Sequence, residues 1–394
     1  MKQFKKIAAF ITTVIIMASC QKQSPDLSLP VEKNATPNEL LATQLQDEDE
    51  GNSFGSGNKH VYTLSNQVAG NAVMDYLRAS DGTLTFNASY PAGGTGTGGG
   101  LGNQDAIALD EDGEVLLAVN PGSNTISSFK ISGGGLTLKS TVSSGGMRPV
   151  SVTMQDEIVY VLNAGGTGNI SGFKLDDNIL TPIAGSTRPL SSATSGAAQV
   201  SFVNEGKVVV VTEKATNKII TYTINELGVP GVMHSITSST ATPFGFDAAE
   251  NGNVFVSEAS GGAAGASKLS SYHVSYNGSI SLLTGSVGAN QSAACWVVIT
   301  NNGKYAYTTN TASNNLTNFG VNTSTGGINV NTAIAATTGM GPIDAALSNN
   351  SKYLYILNGV SHSISVYAVG NDGSLSNVQT VTGLPVGANG LAAK

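Results

Sequence analysis

The sequence predicts an all-β protein made of repeated four-stranded antiparallel sheets, and three observations support this prediction. Glycine accounts for 48 of the 394 residues, while aromatic residues reach only 6% and charged residues 11%. Such a composition suits short strands joined by tight turns, because glycine enters left-handed turn conformations without steric cost. A phrase of apolar strand, polar residue and small-residue turn recurs along the chain, and no long stretch after residue 20 has helical periodicity.

The recurring phrase is clearest in VYVLNAGGTGNISGFKL at 159–175. The residue that ends the second strand of each unit recurs at intervals of 43 to 54 residues, at Asn66, Asn120, Asn163, Glu213, Glu258, Asn310 and Asn358. Repeats of this length with several strands each are typical of a β-propeller. The phrases therefore predict a seven-bladed β-propeller.

The unit at residues 148–185 illustrates the sequence pattern of one blade. Its four strands are predicted at 148–154, 158–163, 169–175 and 179–185, and short Asn, Asp and Gly turns separate them. The second strand is apolar throughout in several units, as expected where neighbouring blades cover both faces. A single four-stranded blade cannot bury two faces alone, so the blades must stack in a ring.

The ring is predicted to close through the end of the chain. The first unit begins directly with its second strand, in HVYTLSN at 60–66, and lacks a first strand of its own. The segment ANGLAA at 388–393 has the expected pattern. We therefore predict that the C-terminal strand completes the first blade, which removes an open sheet edge. The predicted propeller domain covers residues 58–394.

The N-terminus is predicted to be an export signal. MKQFKK is a positively charged start, and the apolar run of 13 residues that follows is too short to span a bilayer comfortably. The run ends in MASC, which resembles a bacterial lipobox. We predict a lipoprotein signal peptide at 1–19 and lipidation of Cys20; the alternative is an ordinary secretory leader.

Residues 20–57 are polar and aromatic-poor, and predict a flexible tether between the lipid and the propeller. The expected location is the bacterial cell envelope, with membrane contact through the lipid anchor only. The formal net charge of −7 argues against nucleic acid as a partner.

No cofactor is predicted. The Gly-rich segment GGTGTGGGLG at 93–102 lies between β segments and not before a helix, so it does not fit a nucleotide-binding loop. It is instead predicted to be a mobile loop over the channel opening. No His/Cys cluster suggests a transition-metal site.

Candidate site residues follow from the strand directions. In a propeller the turns between second and third strands share one face with the loops between fourth and first strands, while first strands line the channel. A carboxylate-and-cation set at that opening could activate water and stabilise an oxyanion. The predicted catalytic residues are Glu213, Arg148 and Glu258, and the predicted substrate-binding residues are Lys214, Arg188, Asn163, Gln199 and Trp296.

Structural roles are the alternative for several of these residues. A polar side chain at the end of a strand often caps backbone groups, and Asn does this well. Trp296 begins a channel-lining strand, where it would either stack on a ligand or simply pack in the core.

Several segments together resemble the lactonase-type seven-bladed propellers, which include 6-phosphogluconolactonase-like and carboxymuconate lactonizing proteins. The resemblance covers about 60–393, and its main segments are GGMRPVSVT (145–153), VVVTEKATNKI (209–219) and ACWVVITNNGKYAYTTN (294–310). It implies a lactone-opening activity that uses His with Glu and Arg near the channel. Where the resemblance implies His, the chain has Gln199.

Two functions are therefore left open by the sequence. One is an exported lactonase-like lipoprotein that hydrolyses a sugar or muconate-type lactone at the channel opening. The other is a non-catalytic, envelope-tethered propeller that binds a glycan, a small molecule or a protein. The tether and the missing His favour the second function, and the resemblance favours the first.

Overall fold

The computed structural model describes residues 59–133 and 135–394. Their strands form seven antiparallel sheets, and each sheet is one blade of a propeller. Every first strand contacts the first strands of the two neighbouring blades, so the innermost strands form a closed ring around a central channel. The predicted all-β, seven-bladed fold is confirmed. The predicted signal peptide, Cys20 and tether lie outside the described residues.

The strands follow one another in chain order. Blades 1 and 2 contain β1 (Lys59–Leu64), β2 (Ala72–Arg78), β3 (Leu84–Pro91), β4 (Ile107–Leu109), β5 (Val115–Asn120), β6 (Thr125–Ser132) and β7 (Gly135–Ser143). Blades 3 and 4 contain β8 (Met147–Gln155), β9 (Ile158–Gly165), β10 (Asn169–Asp176), β11 (Ile179–Pro182), β12 (Arg188–Pro189), β13 (Ala197–Val203), β14 (Val208–Glu213), β15 (Lys218–Ile224) and β16 (Pro230–Thr237).

The remaining blades keep the same pattern. Blades 5 and 6 contain β17 (Pro243–Ala248), β18 (Asn253–Glu258), β19 (Lys268–Val274), β20 (Ile280–Gly288), β21 (Ala294–Ile299), β22 (Tyr305–Asn310), β23 (Asn315–Val321) and β24 (Ile328–Thr337). Blade 7 contains β25 (Pro342–Leu347), β26 (Tyr353–Asn358), β27 (Ser363–Val369) and β28 (Leu375–Thr382), and β29 (Asn389–Ala393) returns to blade 1. A single 3₁₀ turn spans Ser260–Gly262, and the described residues contain no helix long and apolar enough to cross a membrane.

The C-terminal strand closes the ring as the sequence predicts. β29 pairs antiparallel with β1, with Val61 opposite Ala393 and Tyr62 opposite Ala392. The backbone N–H of Lys394 then donates to the carbonyl of His60 at 2.8 Å. Blade 1 therefore joins both ends of the described chain, and no first strand is left without a partner blade.

Burial follows the position of each strand in its blade. All six residues of β14 are buried, because blades 3 and 5 cover both faces of this second strand. Fourth strands form the rim and are largely exposed, as β16 shows. The apolar second-strand runs of the sequence therefore mark the core between blades.

Blade 3 differs from the prediction at its rim. The fourth strand was expected at 179–185, but β11 ends at Pro182 and a short β12 follows at Arg188–Pro189. Ser186 holds the break, because its hydroxyl donates to the carbonyls of Ile183 and Gly172 and accepts from the N–H of Gly172. This side-chain bridge replaces the regular strand pairing at the break.

Candidate active site at the channel mouth

One face of the ring carries both the turns between second and third strands and the loops between fourth and first strands. We call this side the mouth face, and the opening of the channel there the mouth. Of the eight residues predicted for the site, only Arg188 lies on an outer strand; the others lie on, or directly follow, first or second strands. The topology thus gathers most of the predicted set near the mouth.

Lys214 directly follows β14 and points over the channel. Its ammonium donates to the carbonyl of Gly102 and lies 4.6 Å from the centre of the Phe244 ring. Burial, together with the charge of Arg148, lowers the pKa of Lys214 from 10.5 to about 8. A lysine with such a pKa holds a useful fraction of neutral amine near neutral pH.

Arg148 is the second cation at the mouth. Its side chain is exposed, its backbone has a φ of 52°, and its N–H donates to the Asn124 side chain at 2.7 Å. Neither Arg148 nor Lys214 forms a salt bridge with any acid of the described residues. The mouth therefore presents two neighbouring positive groups that have no neutralising partner.

Glu213 is fully buried and turned toward its own blade. Its carboxylate accepts the N–H of Ser191 at 2.8 Å, together with the hydroxyls of Ser191 and Thr216. Ser191 belongs to the loop that enters β13. In this arrangement Glu213 fastens the loop to the end of β14, and its predicted role as a base stays a prediction.

Glu258 repeats this arrangement one blade further on. Its buried carboxylate accepts from Ser238 at 2.6 Å, from the N–H of Thr240 at 3.0 Å, from Ser270 at 2.8 Å and from Tyr272 at 3.1 Å. Four donors leave little lone-pair capacity for a water nucleophile. The contacts given for Glu258 are therefore those of an anchor for the loop between β16 and β17.

Asn163 shows the same role with opposite hydrogen-bond polarity. It is fully buried, and its amide N–H groups donate to the carbonyl of Ser144 at 3.0 Å and to the side chain of Asn169 at 2.8 Å. Asn310 likewise donates to Asn315 and Thr317, both at 2.9 Å. The contacts of Asn163 support the capping role considered for the repeated Asn, and its predicted role in substrate binding stays a prediction.

Gln199 and Trp296 lie in the channel wall below the mouth. Gln199 exchanges two hydrogen bonds with the backbone of Phe246 and donates to Asp105 at 2.6 Å, so it joins two first strands. Trp296 is 2% exposed, donates its Nε1–H to the carbonyl of Asn103 at 2.6 Å and packs on Phe244. These contacts support the core-packing alternative for Trp296.

Arg188 lies on the rim and not at the mouth. Its guanidinium donates to the carbonyls of Gly185, Thr187 and Pro230, which connects the outer strands of blades 3 and 4. It lines a rim groove of about 520 Å³ together with Tyr222, Val232 and Met233. The structure separates Arg188 from the cations at the mouth, because fourth strands are the outermost ones.

The Gly-rich segment predicted over the opening is tied down at the edge of blade 1. Asn66 accepts the N–H of Thr97 at 2.9 Å and donates to the carbonyl of Gly99 at 2.7 Å. Gly96 lies so close to the backbone of Asn66 that a Cβ would stand 2.1 Å from its carbonyl carbon. A glycine is required there, and the segment is packed in place.

Three further carboxylates lie in the channel, and we call Asp105, Asp247 and Asp344 the axial carboxylates. Burial is the main cause that raises the pKa of Asp105 to about 7 and that of Asp247 to about 6. Burial also raises the pKa of Asp344 well above its usual value, and the charge of Asp105 adds to this effect. The sequence could have predicted these three residues, because the first-strand segments DAIAL, PFGFD and IDAAL each place one Asp where the chain lines the channel.

No His side chain joins this site in the described part of the chain. His60 lies in β1 and bonds to Asp75 at 2.6 Å, while His362 occupies a turn of blade 7 with a φ of 49°. Within the same residues, no three His, Cys, Asp or Glu side chains are arranged to hold a metal ion. The mouth therefore offers Lys214 and Arg148 as its reactive groups.

The chain matches the family model described as "Lactonase, 7-bladed beta-propeller" over residues 53–180 and 262–393. The match covers more than half of the sequence. The chain belongs to this family. Its membership of the lactonase family agrees with the resemblance drawn from the sequence. No curated protein matches it.

Solved structures with the same fold include several proteins described as gluconolactonases. A putative 6-phosphogluconolactonase from Bacteroides uniformis is 20% identical, with a TM-score of 0.67 over 84% of this chain and 99% of that one. The periplasmic gluconolactonase PpgL of Pseudomonas aeruginosa is 14% identical, with a TM-score of 0.63 over 85% and 98% of the two chains. At these identities the likeness shows the fold alone.

The family match omits residues 181–261, which include β13, β14 and β18. Glu213, Lys214, Glu258 and Gln199 all lie in this segment. The family match therefore covers most blades of this lactonase-family chain, but it does not cover the segment that carries Lys214. The role of that segment has to be inferred from its own contacts.

Proposed function

We propose that this lactonase-family propeller hydrolyses a lactone at the mouth, with Lys214 as the general base and Arg148 as the group that stabilises the oxyanion. One observation carries the proposal: the charge of Arg148 acts on Lys214, neither residue has an acid partner among the described residues, and burial together with this charge holds the pKa of Lys214 at about 8. Enzymes tune lysine to this range when it has to accept protons near neutral pH.

The reaction would proceed by addition and ring opening. The neutral amine of Lys214 takes a proton from water while the water oxygen attacks the lactone carbonyl carbon. Arg148 stabilises the resulting oxyanion with its guanidinium N–H groups. The bond between the carbonyl carbon and the ring oxygen then breaks, and the ring oxygen receives the proton from the ammonium of Lys214. The product is a hydroxy acid, and Lys214 is neutral again.

The preferred substrate would be a sugar or muconate-type lactone that carries an anionic group. Two positive groups at a poorly solvated opening attract anions and raise their local concentration. In this scheme Glu213, Glu258 and Asn163 position the loops around the mouth, and Gln199 and Trp296 support the wall beneath it. The catalytic role expected for Glu213 and Glu258 thus becomes a positioning role.

A panel of sugar and muconate-type lactones tests the proposal. Lys214→Gln should lose about 100-fold or more in kcat/KM, as expected for loss of a general base. Lys207→Gln is the matched control, because Lys207 is exposed in a turn on the opposite face. For the wild type, kcat/KM above the spontaneous rate should rise with pH, reach half of its maximum near pH 8 and level off above it. A flat profile, or full activity in Lys214→Gln, would refute the role of Lys214.

A second candidate function is binding without turnover. Four exposed apolar side chains lie on the mouth face of blades 7 and 1, at Val68, Met340, Val360 and Val386. Exposed apolar patches often mark sites of protein association. If no lactone in the panel is hydrolysed, a quadruple serine variant that loses a pulled-down partner would favour this function.

We also propose that the chain is an exported lipoprotein anchored through Cys20. The support is the sequence pattern of residues 1–20. Metabolic labelling with a fatty-acid analogue should mark the wild type and leave Cys20→Ser unlabelled. An ordinary secretory leader would instead give an unlabelled, released protein in both cases.

A further inference from the structure

Two neighbouring first strands hold buried oxygen atoms that lack hydrogen-bond partners. Asp344 on β25 is 1% exposed; its Oδ1 accepts the N–H of Ala345 at 2.9 Å, the backbone N–H of Leu391 on β29 also acts on its carboxylate, and its Oδ2 makes no hydrogen bond of normal geometry. Asn389 on β29 is also 1% exposed, and its Oδ1 is without a partner too. Native proteins leave few buried polar atoms unpaired, and each such atom calls for an explanation.

Asp344 and Asn389 lie at the same level of the channel. Asp344 faces Leu357, the residue before the end of β26, and Asn389 faces Leu64, the last residue of β1. Strands β25 and β29 contact each other in the inner ring. Asn103 lies in the loop before β4 and accepts a hydrogen bond from Trp296 on β21, the first strand that neighbours β25. Its Oδ1 is a third buried oxygen without a partner.

Other carboxylates lie near these oxygens, and Lys214, which bonds to the carbonyl of Gly102 beside Asn103, forms no salt bridge with any of them. Asp105 is close enough for its charge to act on Asp344, and Asp247 acts in turn on Asp105. The salt bridges of the described residues join His60 to Asp75 and Lys174 to Glu157, and neither involves an axial carboxylate. A buried carboxylate without a counter-charge is strongly unfavourable.

A proton alone does not satisfy this arrangement. Protonation of Asp344 would neutralise one charge and supply one donor, which could serve at most one of the other two unpaired oxygens. A cation, in contrast, is bound by several oxygen atoms at once and neutralises charge at the same time.

We propose that the channel below the mouth binds a calcium ion through Asp344 and Asn389, with Asp105 as the second carboxylate. Calcium takes six to eight oxygen ligands in flexible geometry and accepts carboxylates, amide oxygens and water together. This suits a site where no three acidic side chains of the described residues converge, because amide oxygens and water complete the shell. Its proposed ligands are different residues from Lys214 and Arg148, which are assigned to the reaction.

Thermal unfolding with and without calcium is the first test. After removal of divalent ions, about 10 mM CaCl₂ should raise the Tm of the wild type by several degrees, a concentration that saturates even weak extracellular calcium sites. Asp344→Asn should remove this shift. It should still fold, because Asn keeps an oxygen for the Ala345 N–H and removes an uncompensated charge. Asp372→Asn, at an exposed turn, should keep the full shift.

Terbium luminescence gives a second readout that does not depend on stability. Trp296 is the only tryptophan in the chain and lies beside Asn103, so indole excitation should sensitise Tb³⁺ bound in the channel. Calcium should displace this emission and MgCl₂ should displace it poorly. Asn389→Ala should weaken terbium binding by about tenfold, in line with the loss of one supporting oxygen.

Two results would overturn the proposal. The first is a wild type that shows neither a calcium-dependent Tm shift nor calcium-displaceable terbium emission, which would leave protons and water as the occupants of the channel. The second is an equal calcium effect in Asp344→Asn, which would place the ion elsewhere. Neither result bears on lactone hydrolysis, which is tested at Lys214.

Discussion

The second strands of blades 2, 3, 6 and 7 end in or near Asn, whereas those of blades 4 and 5 end in Glu. Asn163 donates amide N–H groups to Ser144 in the neighbouring loop and to Asn169, whereas Asn310 donates to Asn315 and Thr317 on the third strand of its own blade. The Oδ1 atoms of both residues have no partner. Glu213 and Glu258 anchor theirs by accepting from hydroxyls and backbone N–H groups. The residue at the end of the second strand thus binds a neighbouring loop as a donor in blade 3 and as an acceptor in blades 4 and 5.

The difference shows that the partner loops decide the residue at this position. In blade 3 the side chain meets a carbonyl, that of Ser144, and a donor is required. In blade 5 it meets Ser238, Ser270 and Tyr272, and an acceptor with two oxygens is required. The departure from Asn in blades 4 and 5 therefore has a structural explanation that needs no catalytic role.

The largest effect is expected for Glu258→Ala. This change leaves several buried donors without an acceptor, and we expect a loss of about 3–5 kcal/mol in the free energy of unfolding. Asn310→Ala removes neutral hydrogen bonds only, and should cost about 1–3 kcal/mol. Urea unfolding of both variants gives the two values. Equal losses would contradict the distinction between the Glu and Asn blades.

The next largest effect is expected when the hydrogen-bond donor at the corresponding position of blade 3, Asn163, is replaced by an acceptor. Asn163→Asp keeps the shape of the side chain but turns an oxygen toward the carbonyl of Ser144, so the loop contact becomes repulsive. We expect a loss of about 2–3 kcal/mol at pH 7, measured by urea unfolding. The loss should shrink at pH 3–4, where the new carboxyl is protonated and donates. A neutral substitution would show that the amide is dispensable there.

Glu213→Gln separates anchoring from catalysis. Gln keeps one oxygen for the Ser191 N–H, and the two hydroxyls can reorient, so we expect only about 1 kcal/mol of destabilisation. Lactone turnover by the folded variant should stay close to that of the wild type. A fall of about 100-fold or more with unchanged stability would instead restore Glu213 as the base.

The last prediction concerns the pH dependence of stability at Lys214. Its pKa is lowered from 10.5 to about 8 in the folded protein, so the unfolded chain binds more protons between these values. Stability contributed by this residue therefore rises as pH increases from 8 to 10.5. In Lys214→Met this rise should be reduced relative to the wild type. Unfolding free energies at pH 8, 9 and 10 provide the check.

The repeat was enough to predict the fold from the sequence. Strand periodicity and the missing first strand of blade 1 fixed the number of blades and the closure by residues 388–393, and β29 confirms it. The break between β11 and β12 escaped prediction, because it depends on hydrogen bonds that Ser186 makes to distant backbone groups.

The candidate site was harder to predict, since strand position gives the face of the ring but not the direction of a side chain. Glu213 and Lys214 are neighbours in sequence, yet one turns into its blade and the other reaches over the channel. Asp247 and Asp344 were missed because they lie within apolar-looking first strands and below the mouth. Their importance is visible only when distant blades are brought together.

The two ends of the described chain, Lys59 and Lys394, lie together, and their position determines on which face of the propeller an attached group would lie. Lys59 begins β1 at the side opposite the mouth, and Lys394 lies next to it, with its backbone bonded to His60 and its ammonium to Gly113. A fusion partner, purification tag or immobilising linker joined directly at Lys59 or Lys394 would therefore emerge from the underside of the disc. Immobilised protein would present its opening to the solution, with small molecules free to enter from above.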